Sequence, residues 1–120
     1  MSNTEKNRGL VLSLIEALTT GKLMSAFETL YAEDVVMSEN GKEDPERVGK
    51  AKNRAYEQAF VDNAQWHGVK LGPVIADGDT TAYEMWMDFT FFGTRVTRTQ
   101  WSVQTWKDGQ IVREVFYYGA

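Results

Sequence analysis

The sequence predicts an α+β domain in which helices come first and a hairpin-linked sheet follows. Apolar residues of the first half recur at helical spacing. The second half contains long runs rich in β-branched and aromatic residues, separated by short turns that contain glycine. Helices gathered before a meander of strands are typical of the α+β class. With 120 residues, the chain is predicted to form a single domain over residues 1–120.

The composition argues against several functional classes. The net charge is -4 and no long basic run occurs, so nothing favours binding to nucleic acid or to an anionic membrane. There is no cysteine and one histidine, His67, so we expect neither a metal site nor a cofactor. The polar N-terminus does not resemble a secretory signal, and no apolar run reaches membrane-spanning length. We therefore expect a cytoplasmic protein.

Two helices are predicted in the first 31 residues. Ser2 and Glu5 can cap the first helix at its start, and Gly21 can end it. Ser25 and Glu28 offer a second capping box for a shorter helix. The apolar stripe of the first helix is Leu10, Val11, Leu14, Ile15 and Leu18, and that of the second is Ala26, Phe27, Leu30 and Tyr31.

A short strand over residues 35–39 then singles out one carboxylate. Alternate side chains of a strand point to opposite faces, so Glu39 shares a face with Val35 and Met37. Two interpretations are open at this point. Glu39 is either a solvated residue before the Asn40-Gly41 turn or a carboxylate that projects into a pocket.

A third helix is predicted from Gly49 to about Asp62, after a turn signal at Asp44-Pro45. The charges of Arg47 and of residues 50–54 are assigned to a solvated face of this helix. Its apolar side is marked by Ala51, Ala55, Tyr56, Ala59 and Phe60.

Four strands are predicted to complete the chain. The first, over residues 66–76, is interrupted by Gly72-Pro73, which indicates a bulge or an edge strand. The other three span residues 80–92, 95–106 and 110–118.

One face of this sheet is predicted to line a pocket. A two-residue turn at Gly93-Thr94 would pair Phe89 with Arg98 and Met87 with Gln100. A closed core would not hold a row of polar side chains, because buried polar groups need partners. A cleft with apolar walls and a few polar groups is typical of ligand sites. The predicted lining is Tyr83, Met85, Met87 and Phe89 on one strand and Arg98, Gln100 and Gln104 on its neighbour.

The opposite face of the sheet is predicted to form a dimer interface. The same register places Trp86 opposite Trp101 on that face. Such a patch is too apolar to remain comfortably exposed. We therefore expect a homodimer.

The last turn leaves one register open. If Asp108-Gly109 alone turns the chain, Arg113 faces the pocket. If residues 107–109 form a three-residue loop, Glu114 faces it instead.

Longer segments of the chain resemble a known group of proteins. The three helices, the segment GKLMSAFETLYAEDVVMSENG, the glycine before the third helix and the closing KDGQIVREVFYYG resemble SnoaL-like and ketosteroid-isomerase-like proteins of the nuclear transport factor 2 superfamily. This resemblance implies a cone-shaped, cystatin-like fold. In such a fold a strongly bent mixed sheet wraps around three helices and encloses a deep apolar pocket.

The resemblance also implies roles for individual residues. Glu39 matches the general base of the isomerases, and an inward-facing Glu114 matches the closing strand, which favours the three-residue loop. Leu14 and Ser102 stand where the isomerases carry hydrogen-bond donors. Further pocket positions implied by the resemblance are Tyr31, Tyr56, Met85, Met87, Phe89, Phe116 and Tyr118.

These observations predict a cofactor-free enzyme that acts on a small apolar molecule with a carbonyl group. Glu39, Arg98 and Glu114 are the catalytic candidates, and Arg98, Gln100 or Gln104 would stabilise developing negative charge. Isomerisation, cyclisation and dehydration all suit this chemistry. His67 is a further candidate for ligand contact. The alternative is a non-catalytic domain for ligand binding or dimerisation.

Overall fold

The computed structural model describes residues 2–41 and 46–119 and confirms the α+β architecture. The turn predicted at Asp44-Pro45 lies outside these residues. The helices are α1 (Asn3–Thr19), α2 (Leu23–Leu30) and α3 (Lys50–Asn63). The strands are β1 (Tyr31–Glu39), β2 (Arg47–Val48), β3 (Ala64–Asp77), β4 (Thr80–Phe91), β5 (Thr94–Lys107) and β6 (Gln110–Tyr118).

The strands form one mixed sheet in the order β2-β1-β6-β5-β4-β3. Strand β1 runs parallel to β6, and every other neighbouring pair is antiparallel. Bulges bend three of the ladders, and the helices pack against the concave face, as the predicted cone requires. The most deeply buried apolar side chains of this core are Val11, Leu14, Phe27, Val35, Met37 and Ile111.

The two predicted N-terminal helices are both present, but only the first has its predicted N-terminal cap. The Ser2 hydroxyl accepts a hydrogen bond from the backbone N–H of Glu5 at 3.2 Å, which confirms the first cap. The second capping box is wrong. Helix α2 begins at Leu23, two residues before Ser25, and Lys22 stands at its N-cap without a side-chain hydrogen bond.

Helix α3 presents a different face to the interior from the one its alanines indicate. Ala51, Ala55 and Ala59 are exposed, whereas Lys50 and Asn53 are buried. Alanine has too small an apolar surface to fix a helix face against stronger polar contacts. The Lys50 ammonium, for example, donates to the backbone carbonyl of Glu28 at 2.8 Å. The prediction that the charges of this region lie on a solvated face is therefore wrong for Lys50.

The turn between β4 and β5 lies one residue earlier than predicted. Phe92 and Gly93 both have positive φ, 47° and 80°, as a primed hairpin turn requires. The register consequently shifts by two residues, and Met87 pairs with Arg98. A shift of two keeps every side chain on its predicted face. It does separate the tryptophans, because Trp86 now lies opposite Thr99 rather than Trp101.

The turn between β5 and β6 resolves the open register in an unexpected way. Lys107 pairs with Gln110 across a two-residue turn, so the three-residue loop favoured by the resemblance is wrong. A bulge follows directly, because Trp106 pairs with Ile111 while Thr105 pairs with Arg113. The extra residue on β6 reverses the parity. Glu114 therefore lies opposite Gln104 and is buried.

Strand β3 is an edge strand with two bulges. The irregularity between Leu71 and Val74 confirms the interpretation of Gly72-Pro73. The second bulge, between Trp66 and Gly68, carries His67 to the outer face. There the imidazole is exposed and lies 2.7 Å from the Thr90 hydroxyl. The extra residue at this bulge turns His67 away from the cavity, where a ligand contact was predicted for it.

Candidate functional site

A cavity of about 720 Å³ lies between the helices and the concave face of the sheet. This is within the range of small-molecule sites. Four of its large apolar or aromatic lining side chains are also substantially exposed and form an apolar rim at its opening: Tyr56, Val61, Trp66 and Val69. The charged or amide-bearing groups on its wall are Lys22, Glu39, Glu57, Gln58, Arg98, Gln100 and Glu114.

Glu39 projects into this cavity, which is one of the two interpretations that its parity in β1 left open. Its side chain is buried, with 8% of the residue surface exposed. One carboxylate oxygen pairs with the Arg47 guanidinium at 3.2 Å. The other accepts a longer hydrogen bond of 3.4 Å from the Tyr118 hydroxyl. The solvated interpretation of Glu39 is therefore wrong, and its negative charge is balanced by a buried cation.

Arg47 is the residue that sequence reasoning placed least well. It was assigned to a solvated face, yet only 8% of its surface is exposed. Its guanidinium stacks 3.7 Å above the Tyr56 ring, and its Nε donates to the Asn53 side chain at 3.1 Å. Asn53 in turn donates to the backbone carbonyls of Arg47 and Gly49. The ion pair with Glu39 is thus held in place by helix α3.

Glu114 forms a second carboxyl site, on the β6 side of the cavity. It is 1% exposed, and its two oxygens accept hydrogen bonds from the Tyr31 hydroxyl at 2.5 Å and from the Gln104 amide at 2.7 Å. Burial raises the pKa of Glu114 to about 7, against the lowering effect of these two donors. The charges of Glu39 and Arg47 shift this pKa in opposite directions. Glu114 can therefore both accept and release a proton near neutral pH.

A chain of buried donors fixes how Glu114 is held. The Trp106 indole donates to the Thr81 hydroxyl, and that hydroxyl donates to the Gln104 carbonyl oxygen, each at 2.7 Å. Indole can only donate, so the Thr81 oxygen accepts from Trp106, and its own hydrogen is directed to the Gln104 carbonyl oxygen. The Gln104 amide nitrogen consequently faces Glu114 and can only donate to it. A proton on Glu114 must then sit on the oxygen beside Tyr31, the one partner that can turn to accept.

A third carboxyl group, Glu57, enters the cavity from helix α3. Burial is the largest cause that raises its pKa, to about 8, and the negative charges of Glu114 and Glu39 add to it while Arg47 opposes them. At neutral pH Glu57 is mainly protonated. The sequence pattern gave no reason to select Glu57, although it lies one helical turn after the buried Asn53.

The tyrosines of the cavity wall are hydrogen-bond donors rather than bases. Burial raises the pKa of Tyr31 well above its usual value, and the neighbouring Glu114 charge raises it further. Burial likewise raises the pKa of Tyr83 and Tyr56. All three hydroxyls therefore keep their protons over the physiological range.

Arg98 is the second cation of the site and differs from Arg47 in its surroundings. Its guanidinium lies 3.8 Å from the centre of the Tyr118 ring and 5.5 Å from that of Phe89. Its Nε is buried and has no hydrogen-bond acceptor in the described part of the chain. Arg98 and Glu114 do not form one of the ion pairs of residues 2–41 and 46–119.

Most of the predicted site residues come together, and four do not. The predicted residues that line the cavity are Tyr31, Glu39, Tyr56, Tyr83, Met85, Met87, Arg98, Gln100, Glu114 and Phe116. His67 lies outside on the outer face. Phe89 is buried against Phe60, with ring centres 5.2 Å apart, and contributes to the core instead. Gln104 and Tyr118 do not line the cavity but contact residues that do. Gln104 donates a hydrogen bond to Glu114, and Tyr118 lies between Glu39 and Arg98.

The described residues contain neither a cluster of metal ligands nor a membrane-spanning helix. Among the described residues, no three His, Asp or Glu side chains are grouped so that they could hold a metal ion. None of the helices within residues 2–41 and 46–119 has the length and apolar character needed to cross a bilayer.

Comparison with known proteins agrees with this architecture. The family model of the SnoaL-like domain matches residues 11–114. A structure from Mesorhizobium loti, named as a SnoaL-like polyketide cyclase, is 30% identical and superposes with a TM-score of 0.80, over 92% of this chain and 97% of that one. No curated protein matches the chain significantly.

More distant structures share the fold alone. An epoxide hydrolase from M. tuberculosis, described as LEH-like, has 17% identity and a TM-score of 0.79, with 97% of this chain and 84% of that one covered. A structure from Kribbella flavida, named as a ketosteroid isomerase, has 22% identity and a TM-score of 0.78, with 100% and 82% covered. The same cavity-forming cone thus occurs in proteins named for different reactions.

Proposed function

The chain belongs to the SnoaL-like domain family, and from this premise we propose that it is an enzyme that moves protons on a small apolar substrate. The substrate carries a carbonyl group, and the reaction is an isomerisation, cyclisation or dehydration in which no cofactor takes part. The observation that supports this most is the presence of two buried carboxyl groups, Glu39 and Glu114, on the wall of one apolar cavity.

The two carboxyl groups have complementary roles in the proposal. Glu39 forms the ion pair with Arg47, and among the described residues its oxygen beside Tyr118 accepts one long hydrogen bond, so it is the group that removes a proton from carbon. Glu114 titrates near neutral pH and returns a proton to the substrate through the Tyr31 side of its carboxyl group. Arg98 and Gln100 stand on the same wall to stabilise negative charge on the ligand.

The proposal does not extend to ketosteroid isomerisation. Leu14, at the position where the resemblance implies a donor tyrosine, is 1% exposed and offers no hydrogen bond. Losing a single oxyanion donor costs roughly 100- to 1000-fold in rate. The name of the Kribbella flavida structure is therefore not carried over to this chain.

A simple apolar ketone tests the proposal without knowledge of the natural substrate. In deuterated water, the protein should accelerate exchange of the protons beside the carbonyl of 2-tetralone, followed by NMR. Glu39→Gln keeps the size of the side chain but removes the base, so we expect a loss of roughly 100-fold or more. The exposed Glu16 on α1 provides the matched control, Glu16→Gln, which should exchange at the wild-type rate. Equal rates for Glu39→Gln and wild type would contradict the proposal and favour a non-catalytic binding domain.

We further propose that the protein is a homodimer through the outer face of the sheet, located in the cytoplasm. The separated Trp86 and Trp101 still share that face, together with Tyr117, which is 47% exposed. Light scattering should give twice the monomer mass of 13.6 kDa. Trp101→Lys should give monomer or aggregate, and a well-behaved wild-type monomer would refute the dimer.

A further inference from the structure

Arg98 is a cavity-wall cation whose charge is not balanced within the described part of the chain. The buried Arg47 has Glu39 as its counterion, and the exposed Arg95 has Asp88. None of the ion pairs within residues 2–41 and 46–119 includes Arg98. It rests instead on the ring of Tyr118, which attracts a cation without neutralising it.

Arg98 also has a hydrogen-bond donor, its Nε atom, that is not paired within the described residues. Its buried Nε has no acceptor among the described residues. A buried donor without an acceptor is destabilising, and a guanidinium is shaped to bind a carboxylate with two parallel hydrogen bonds. Because the side chain lines the cavity, a ligand inside the cavity can supply that carboxylate.

The carboxyl groups of the same cavity do not oppose an anionic ligand as strongly as their number indicates. The charge of Glu39 is balanced by Arg47. Burial raises the pKa of Glu114 to about 7 and that of Glu57 to about 8, so both are largely neutral in mildly acidic solution. Arg98 then dominates the field inside the cavity, although the whole chain carries a net charge of -4. The titratable or charged groups that face this space are Lys22, Tyr31, Glu39, Arg47, Tyr56, Glu57, Tyr83, Glu114 and Tyr118.

The remaining wall is apolar, with aromatic side chains at its opening. Trp66 and Tyr56 stand at the rim, and Met85 and Met87 line the interior. Such a surface favours a flat or branched hydrocarbon body over a sugar or a nucleotide.

We propose that the ligand of this cavity is a small aromatic or otherwise apolar acid whose single carboxylate is bound by Arg98. This deepens the proposed function, because it adds a permanent carboxylate to the apolar carbonyl substrate. It rests on the proposed function only for the identity of the cavity, since binding is measured without turnover.

Two probes of nearly equal shape test the proposal: 2-naphthoate, which carries the carboxylate, and 2-acetylnaphthalene, a neutral ketone. Calorimetry on the wild-type protein at about pH 6 should show that 2-naphthoate binds at least about tenfold more tightly. At about pH 8.5 this preference should shrink, because Glu114 and Glu57 become negatively charged beside the ligand.

Substitutions of two arginines on β5 separate a specific carboxylate site from a general effect of charge. Arg98→Met keeps an unbranched side chain against Tyr118 and should lose the preference for 2-naphthoate while binding of the ketone persists. Arg98→Lys should keep part of the preference, provided that melting curves show it folded. Arg95→Met removes the same charge from an exposed arginine, the partner of the buried Asp88, and should leave the preference unchanged.

Three outcomes would overturn the assignment. They are equal affinity of the wild type for both probes, an undiminished preference in folded Arg98→Met, and no binding of either probe. A wild-type protein that shows no preference for 2-naphthoate but still exchanges the ketone protons would refute the carboxylate assignment alone. A preserved preference without any proton exchange would refute the proposed function alone.

Discussion

Glu39 and Glu114, two of the three carboxyl groups of the cavity, are both buried but are stabilised by different means. Glu39, at the end of β1, pairs directly with the charge of Arg47. Glu114, on β6, accepts hydrogen bonds from two neutral donors, Tyr31 and Gln104. A cation compensates a buried carboxylate, whereas neutral hydrogen bonds only partly offset the cost of removing it from water. One cavity can therefore hold an ion-paired carboxylate and a group that changes its protonation near neutral pH.

Breaking the ion pair should have the largest effect on stability. Arg47→Leu leaves Glu39 buried without a cation and removes a hydrogen-bond donor from Asn53, so we expect a loss of about 3–5 kcal/mol in the free energy of unfolding. Urea denaturation at neutral pH measures this loss. The double variant Arg47→Leu/Glu39→Leu is the control, because it replaces the pair with apolar groups and should recover most of the stability. A single variant as stable as the wild type would show that the ion pair is not what holds Glu39.

Removing the charge of Glu114 should raise the free energy of unfolding, whereas Arg47→Leu lowers it. The pKa of Glu114 is raised from 4.5 to about 7, so its charged form is penalised in the folded state. The cost is absent well below pH 4.5, grows between about pH 4.5 and 7 and is constant above that, where it reaches about 3 kcal/mol. Glu114→Gln imitates the protonated form, since its oxygen can accept from Gln104 while its amide donates to Tyr31.

Unfolding measurements at two pH values test this sign. Glu114→Gln should match the wild type at about pH 4 and exceed it by up to about 3 kcal/mol at about pH 8. Glu16→Gln, which changes an exposed carboxylate on α1, should show no such difference. A destabilised Glu114→Gln at about pH 8 would contradict the raised pKa.

A smaller effect is expected where the neutral donor chain is interrupted behind Glu114. Thr81→Val preserves shape but leaves the Trp106 indole and the Gln104 carbonyl without their shared partner. Buried groups that lose a partner cost about 1–3 kcal/mol. Thermal melts should show this loss, and the exposed neighbour Thr80 provides the control Thr80→Val. Unchanged stability of Thr81→Val would mean that the chain does not fix the Gln104 amide.

The two walls also differ in how well the sequence predicts them. Glu39 follows from strand parity, because a regular strand alternates its faces without exception. Glu114 does not, because its direction depends on a bulge beside Thr105 that leaves no mark in the hydrophobic pattern. Only the resemblance to the superfamily favoured its inward direction, and it did so through a turn of the wrong length.

The counterion of Glu39 could not be predicted from the sequence. Arg47 lies in a two-residue strand within a polar stretch, where neither helical nor strand periodicity can be recognised. Helix α3 misled for a related reason. Its alanines suggested an apolar face, while its buried face carries the polar Asn53. The prediction of the fold depends on many weak apolar patterns that agree with one another. The site depends instead on a few polar contacts between distant segments.

Titration of the Glu114 carboxyl group is the most direct test of the account. Carbon-13 NMR of protein labelled at the glutamate carboxyl carbons can follow each group, and the signal that disappears in Glu114→Gln identifies Glu114. The account predicts that this signal titrates with a pKa of about 7, because burial outweighs the donors Tyr31 and Gln104. A Glu114 signal that titrates at 4.5 or below would contradict it. The raised pKa on which the proton-returning role of Glu114 depends would then be absent, and the proposed division between a base and a proton-returning acid would fail.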